Sequence, residues 1–296
     1  MKLSIDIGYG DCKVAFEKDG KLEFFKFPTA IQRAKTNYSS FGDEEVYEFR
    51  GAKYKVGEQA VNGALSTRNL DFIIKYAPLL IYYAIKKANI DTNNLEISTG
   101  LSILNWNKVD EFTHALETIN VNNEIITPSN IEVFAQGQGV FIDYPGNKDG
   151  IVVVTDIGYN TFDFLVFENG TPKPELSFAT ERGLNILIEE IINVIKQKYD
   201  WTITEQKAKD IFVKGYIENF GNRVDLSDTI EELKEYYTDE ILNEMKSKRL
   251  DVLREAQAVI FSGGGAYYLE KKELPDNVVF ANKPYEFANV RGYYNG

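Results

Sequence analysis

The octapeptide DIGYGDCK, Asp6 to Lys13, has a counterpart in DIGYNTFD, Asp156 to Asp163, 150 positions further along the chain. In each copy an apolar run leads into the aspartate, a glycine-centred turn follows, and a second apolar run leaves it. These runs are Leu3 to Ile7 and Lys13 to Phe16 in the first copy, and Ile151 to Thr155 and Phe162 to Phe167 in the second. A turn glycine follows the aspartate by 14 positions in both, at Gly20 and at Gly170. The pattern predicts strand, tight turn, strand, turn, twice over, with a third strand over Leu22 to Phe27 in the first copy. Solenoid repeats recur every 20 to 50 residues or so. A period this long points instead to two duplicated lobes, each owning one loop, and single cores tend to split near the length of this chain in any case.

Between the copies, Phe72 to Ala88 has helical spacing, and Leu95 to Thr99 and Ile131 to Phe134 read as strands. The turn-rich segment Tyr144-Pro-Gly-Asn-Lys-Asp-Gly150 reads as the linker. It divides the chain into lobe I, residues 1–145, and lobe II, residues 146–280, with a tail from about residue 281 to 296 packing back on lobe I. After the second copy, Leu184 to Tyr199 carries its apolar residues on one helical face, and Thr202 with Glu205 reads as a capping box for the next helix. Asp228 to Gln257 reads as one or two amphipathic helices with solvated charges. Ala258 to Phe261 is a short apolar strand that runs into Ser262-Gly-Gly-Gly265.

Composition narrows the function classes. A net charge of -12 opposes direct binding to bare nucleic acid or to an anionic membrane, so any DNA partner requires an adaptor. The single cysteine, Cys12, allows no internal disulfide, and the start MKLSIDIGYG lacks a signal-peptide pattern, so a cytoplasmic protein is expected. The apolar stretch Leu70 to Ile85 is broken by Lys75 and Pro78 and reads as a buried helix rather than a span. With His114 the only histidine, a His-rich zinc site or a Ser-His-Asp triad has almost no material, and His114 itself reads as a surface or partly packed residue.

The loops carry chemistry of their own. A glycine without Cβ, as at Gly8, lets backbone approach a ligand, and successive N–H groups in a tight turn form an anion-binding nest. Lys13 adds a positive charge. Asp6 would repel phosphate unless a metal stood between, and Mg²⁺ is the natural intermediary, held through waters, carboxylates and phosphate oxygens. Asp156, Gly158, Asn160 and Thr161 repeat the arrangement, so two loops are expected to close on one triphosphate from opposite sides. The third loop, FSGGGA from Phe261, either brings backbone against a nucleoside or is an ordinary strand-to-helix turn. It is not a dinucleotide fingerprint, since Tyr268 stands where the last glycine should fall, and no Walker-type Gly-Lys-Ser/Thr loop is present.

As a set, these motifs resemble the actin superfamily: DIGYGDCK its first phosphate loop, DIGYNTFD its second and FSGGG its adenosine loop. The stretch YKVGEQAVNGALSTRN from Tyr54, STGLSI from Ser98 and the closing FANVRGYY most resemble bacterial and plasmid actin-like proteins of the ParM/StbA kind. The resemblance implies an α/β, actin-like (ribonuclease H-like) duplicated two-lobe fold with a nucleotide cleft between the lobes. It implies an ATPase that binds Mg-ATP and whose subunits stack head to tail into filaments for plasmid or DNA segregation, through a DNA-binding adaptor.

By position, Asp6 and Asp156 would organise Mg²⁺ through water. Gly8, Tyr9, Gly10, Asp11, Cys12 and Lys13, and Gly158, Tyr159, Asn160, Thr161 and Gly183, would hold the phosphates, with Gly263, Gly264 and Gly265 flanking the nucleoside. Gln136 falls where the family positions the attacking water, or else satisfies hinge backbone, and Asp163 would assist it. Tyr9 and Tyr159 depart from the small or hydroxyl residues that relatives use to sense the γ-phosphate. A ribose-contacting residue is expected near Lys209 to Glu218. The alternatives are a monomeric small-molecule kinase of the same superfamily and a non-catalytic nucleotide-binding scaffold. The membrane-linked scaffolds carry an amphipathic anchor, for which ANVRGYYNG is too short and polar.

Overall fold

The computed structural model describes residues 1–34, 45–65, 69–270 and 274–296. Of the stretch YKVGEQAVNGALSTRN, residues 66–68 lie outside the described residues. The chain forms two compact units, Met1–Gly146 with Ala281–Gly296, and Asn147–Phe280.

In the first unit, β1 (Lys2–Ile7), β2 (Asp11–Lys18) and β3 (Lys21–Pro28) form the expected antiparallel meander. A small sheet of β4 (Ile31–Arg33), β5 (Tyr47–Phe49) and β6 (Ala52–Val56) follows. The apolar stretch becomes α1 (Leu70–Ala88). The Asn69 side chain accepts from the Phe72 N–H at 2.9 Å to start this helix, and Asn89, at φ 52°, ends it. Leu79, Leu80 and Ile81 within it are fully enclosed, and Pro78 is buried beside them inside the helix.

Next come β7 (Glu96–Leu101), α2 (Val109–Leu116), β8 (Ile119–Val121), β9 (Glu124–Ile126), β10 (Asn130–Ala135) and α3 (Gln138–Asp143). His114, on α2, is 82% exposed. The sheet order is β10-β7-β1-β2-β3, with β7 and β10 parallel to β1, so β1 lies at the centre and is buried on both faces.

The second unit repeats this winding. Strands β11 (Ile151–Ile157) and β12 (Phe162–Glu168) are antiparallel, and β13 (Thr171–Pro172) and β14 (Phe178–Thr180) both pair with β12. Then follow α4 (Asn185–Tyr199), α5 (Glu205–Lys214), the hairpin β15 (Tyr216–Asn219) and β16 (Asn222–Asp225), and α6 (Ser227–Glu255). Last, β17 (Ala256–Ser262) and β18 (Val278–Phe280) run parallel to β11, giving the order β13-β12-β11-β17-β18.

One local expectation changes and another is made definite. The cap of α5 is Thr204, whose Oγ accepts from the Lys207 N–H at 3.2 Å, so the Thr202/Glu205 box does not form and Glu205 is instead the first helical residue. The Asp228 to Gln257 region is one helical run broken at Arg249 (φ -146°, ψ 42°). The guanidinium there donates to the carbonyls of Leu176 (2.6 Å) and Glu175 (3.2 Å).

The chain returns to the first unit as α7 (Ala288–Asn295), against α3. A Cβ at Gly292 would run into the backbone of Gly139, so only glycine permits this approach. Tyr293 is fully buried and stacks on Phe134 at 5.1 Å between centroids. Among the described residues, no helix is long and apolar enough to cross a membrane.

Candidate functional site

Each unit brings its sequence-predicted residues to the C-terminal ends of its parallel strands, the side on which open α/β sheets bind ligands.

In the first unit the chain turns at Gly8-Tyr9-Gly10, closed by the Gly8 N–H donating to the Asp11 carbonyl at 3.2 Å. Thr29, which no motif marks, fixes the turn from behind. Its hydroxyl donates to the Gly8 carbonyl (2.6 Å) and its N–H to the Gly10 carbonyl (2.9 Å), engaging two acceptors that an incoming anion would otherwise meet. Asp6, only 5% exposed, sits across the ladder from Lys13, whose ammonium lies 3.5 Å from its carboxylate. That ammonium also lies 2.9 Å from where a Cβ on Gly8 would stand, so a side chain there would displace it.

Gln136 lies one residue beyond β10, anchored by its N–H on the Leu101 carbonyl at 3.0 Å, and its Nε2 donates to the other Asp6 oxygen at 2.9 Å. Gly137, at φ 93°, starts α3, and the buried Asn289 side chain of α7 accepts its N–H at 2.9 Å. The three residues Asp6, Lys13 and Gln136 therefore meet at one carboxylate, although 130 positions separate Asp6 from Gln136. Cys12 does not join them. Its thiol is enclosed beside Thr29 and pushed up to about 12 by burial, so only its backbone remains for a ligand.

In the second unit the Gly158 N–H donates to the Thr161 carbonyl at 2.9 Å, the same closure at the same position. Here the start of α4 does what Thr29 does in the first unit: the N–H groups of Leu184 and Asn185 take the carbonyls of Gly158 (3.0 Å) and Tyr159 (2.8 Å). Gly183 makes this possible, since a Cβ there would stand 2.6 Å from both carbonyls. It supports the turn from behind.

Asp156 faces Asp163 across the ladder where the first unit has aspartate against lysine, and Asp163 is only 1% exposed. Ser262, at the end of the neighbouring β17, donates to the Thr155 carbonyl (3.1 Å) and to Asp156 (3.5 Å). The three glycines that follow divide. Gly263, at φ 81°, lies against the Ile157 backbone and Asp156, and Gly265 against Ile157 and the Tyr237 hydroxyl. Gly264 alone borders open space. From α5, Lys209 places its ammonium 3.8 Å from the centroid of Tyr159 while paired with Glu205 at 3.0 Å, so the departure at Tyr159 has a partner of its own.

Among the described residues no group of three or more His, Cys, Asp or Glu could hold a metal ion. Each unit's strand-end carboxylate, Asp6 in the first and Asp156 in the second, is by itself the kind of ligand that holds a hard cation through water and phosphate oxygens rather than in an all-protein cage.

Two family models match the chain in succession. Residues 4–139 match the N-terminal domain of actin like proteins, and residues 154–274 match the C-terminal part of the archaeal actin homologue MreB-like model. No curated protein sequence matches it. Among solved structures, Ta0583, an archaeal actin homologue, is 22% identical with a TM-score of 0.83, covering 99% of this chain and 98% of that one. Its complex with ADP is 21% identical, with a TM-score of 0.81 and the same coverage. The ParM of a 15-stranded filament from Clostridium botulinum is 20% identical with a TM-score of 0.76, over 99% of this chain and 97% of that one.

Proposed function

Since the chain belongs to the actin superfamily, we propose that it is an ATPase that binds Mg-ATP through its two turns and assembles head to tail into filaments that segregate plasmid or other DNA. The observation that carries this reading is the duplicated turn: two glycine-closed hairpins with the same N–H to carbonyl closure, each next to a strand-end aspartate.

In this reading the backbone of Gly8 to Lys13 and of Gly158 to Thr161 takes the phosphates, and the Lys13 ammonium adds charge against them. Asp6 and Asp156 would hold Mg²⁺ through water, and the ion would supply neutralisation of phosphate charge. Gln136 donates through Nε2 to Asp6, which leaves Oε1 as the acceptor that orients the attacking water. Asp163, enclosed and opposite Asp156 on the ladder, is a positioning residue that does not itself touch the nucleotide. Gly264 is the glycine on which a nucleoside would rest, and Lys209 of α5 lies over the second turn's tyrosine. The filament structures of a ParM and of Alp12, which share the fold, support assembly into filaments. The charge of -12 supports a cationic adaptor as the link to DNA, and a cytoplasmic setting goes with that partner.

Light scattering and phosphate release, followed together after Mg-ATP is added to the purified protein, test the proposal. Scattering that rises ahead of phosphate supports assembly of ATP-bound subunits. Phosphate transfer that appears only with a small-molecule acceptor replaces the filament with a kinase. Neither signal leaves the scaffold.

A further inference from the structure

The backbone holds Gln136 on both sides. Its own N–H donates to the Leu101 carbonyl at 3.0 Å, which fixes the peptide plane before it, and the Gly137 N–H donates to the Asn289 side chain at 2.9 Å, which fixes the plane after it. With both planes set, the Cα–Cβ bond of Gln136 has one direction, and its Nε2 meets Asp6 at 2.9 Å.

The second of these backbone bonds has no substitute within α3. Strand β10 ends at Ala135 and α3 begins at Gln138, so Gly137 stands at the helix start, where an N–H finds no partner inside the helix. Glycine also has the widest conformational freedom of any residue, so without an outside acceptor this peptide could turn. Asn289 supplies that acceptor from a fixed position. It is only 4% exposed, and a buried carboxamide is unfavourable unless its polar atoms are used. Its helix, α7, is pinned to α3 by Arg291, which donates to Asp143 at 2.9 Å with both side chains 12% exposed. A Cβ on Gly139 would stand 2.3 Å from the Asn289 carbonyl, so the two backbones are in contact where the side chain reaches across.

We infer that Asn289 is a positioning residue for hydrolysis: by holding the Gln136–Gly137 peptide it keeps the Gln136 carboxamide on Asp6 with its oxygen directed at the attacking water. It touches neither nucleotide nor water and acts only through Gln136. This inference rests on the ATPase reading and on the part Gln136 plays in it.

Phosphate release at saturating Mg-ATP, measured beside nucleotide affinity, tests it. Asn289→Leu removes the acceptor at nearly constant volume and is expected to slow release about tenfold with affinity unchanged, because the glutamine remains but is misplaced. Asn289→Asp keeps an oxygen that accepts the N–H in either protonation state, and it releases phosphate at the wild-type rate. In a Gln136→Ala background, Asn289→Leu adds nothing, since the group it positions is gone. Wild-type release by Asn289→Leu, or a tenfold loss that persists on top of Gln136→Ala, overturns the assignment. So does slow release by Asn289→Asp with normal affinity, a result that stands even where the leucine variant does not fold. Slow release by Gln136→Ala with normal release by Asn289→Leu removes Asn289 alone, whereas a wild-type chain that releases no phosphate removes the ATPase reading with it.

Discussion

Gln136 donates its amide nitrogen to Asp6, and in the proposed reading its carbonyl oxygen orients a water, so its replacement separates hydrolysis from binding. Gln136→Ala is expected to slow phosphate release about a hundredfold, at the low end of what a positioned group contributes, with nucleotide affinity intact by fluorescence titration. Unchanged release removes Gln136 from the mechanism. Asp156→Ala is expected to weaken Mg-nucleotide binding itself by about 10- to 100-fold, the worth of one charge-assisted contact. Wild-type affinity in that variant would sink the two-turn reading.

Cys12 behaves oppositely to a ligand-facing residue. Its thiol is raised to about 12 by burial, and the folded state therefore favours the neutral form. The resulting stability is complete below the ordinary thiol pKa of about 8.5 and is lost as pH climbs from there towards 12. Cys12→Ala should flatten this alkaline limb in denaturation midpoints. With one cysteine in the chain, a thiol reagent at pH 8 should label nothing until denaturant is added; labelling of the native protein contradicts the burial.

At the scale of elements, the duplicated turn is supported by different devices in the two units: Thr29 on the carbonyls of the first, the start of α4 on those of the second. The meander strands were legible because apolar residues bracket each Asp-x-Gly, and α1 because its run is long and apolar. The cap of α5 was not legible, because Thr202 has the capping-box partner Glu205 three residues on whereas Thr204 has Lys207, and it is the backbone path that makes Thr204 the cap all the same. Thr204→Ala should destabilise the second unit by about 1 kcal/mol in urea unfolding, and Thr202→Ala by almost nothing. The reverse order would restore the Thr202/Glu205 box. The break of α6 at Arg249 was equally hidden, since it depends on carbonyls of Glu175 and Leu176 more than seventy positions away.

For the whole molecule, the charge of -12 sets the terms of any partnership. The purified chain should give no mobility shift with duplex DNA even at low salt, where counterion release most favours binding, and should shift only when a basic adaptor is added. A direct shift at low salt would show that a local basic patch outweighs the net field. The fold is also shared between distant parts of the chain: α7 closes the first unit through Gly292 against Gly139 and through Asn289 on Gly137, next to Gln136.

By itself the sequence determined the duplication, the two strand-turn-strand units, the buried α1 and the identity of the loop residues, because glycine spacing and apolar alternation are local signals carried by neighbouring side chains. The tertiary structure alone decided that Gln136 holds Asp6, that Thr29 and Gly183 brace the turns, that Gly264 is the glycine facing open space and that the Cys12 thiol faces inward. Those outcomes depend on hydrogen bonds and close approaches between residues tens of positions or more apart, and no local pattern encodes which of them meet.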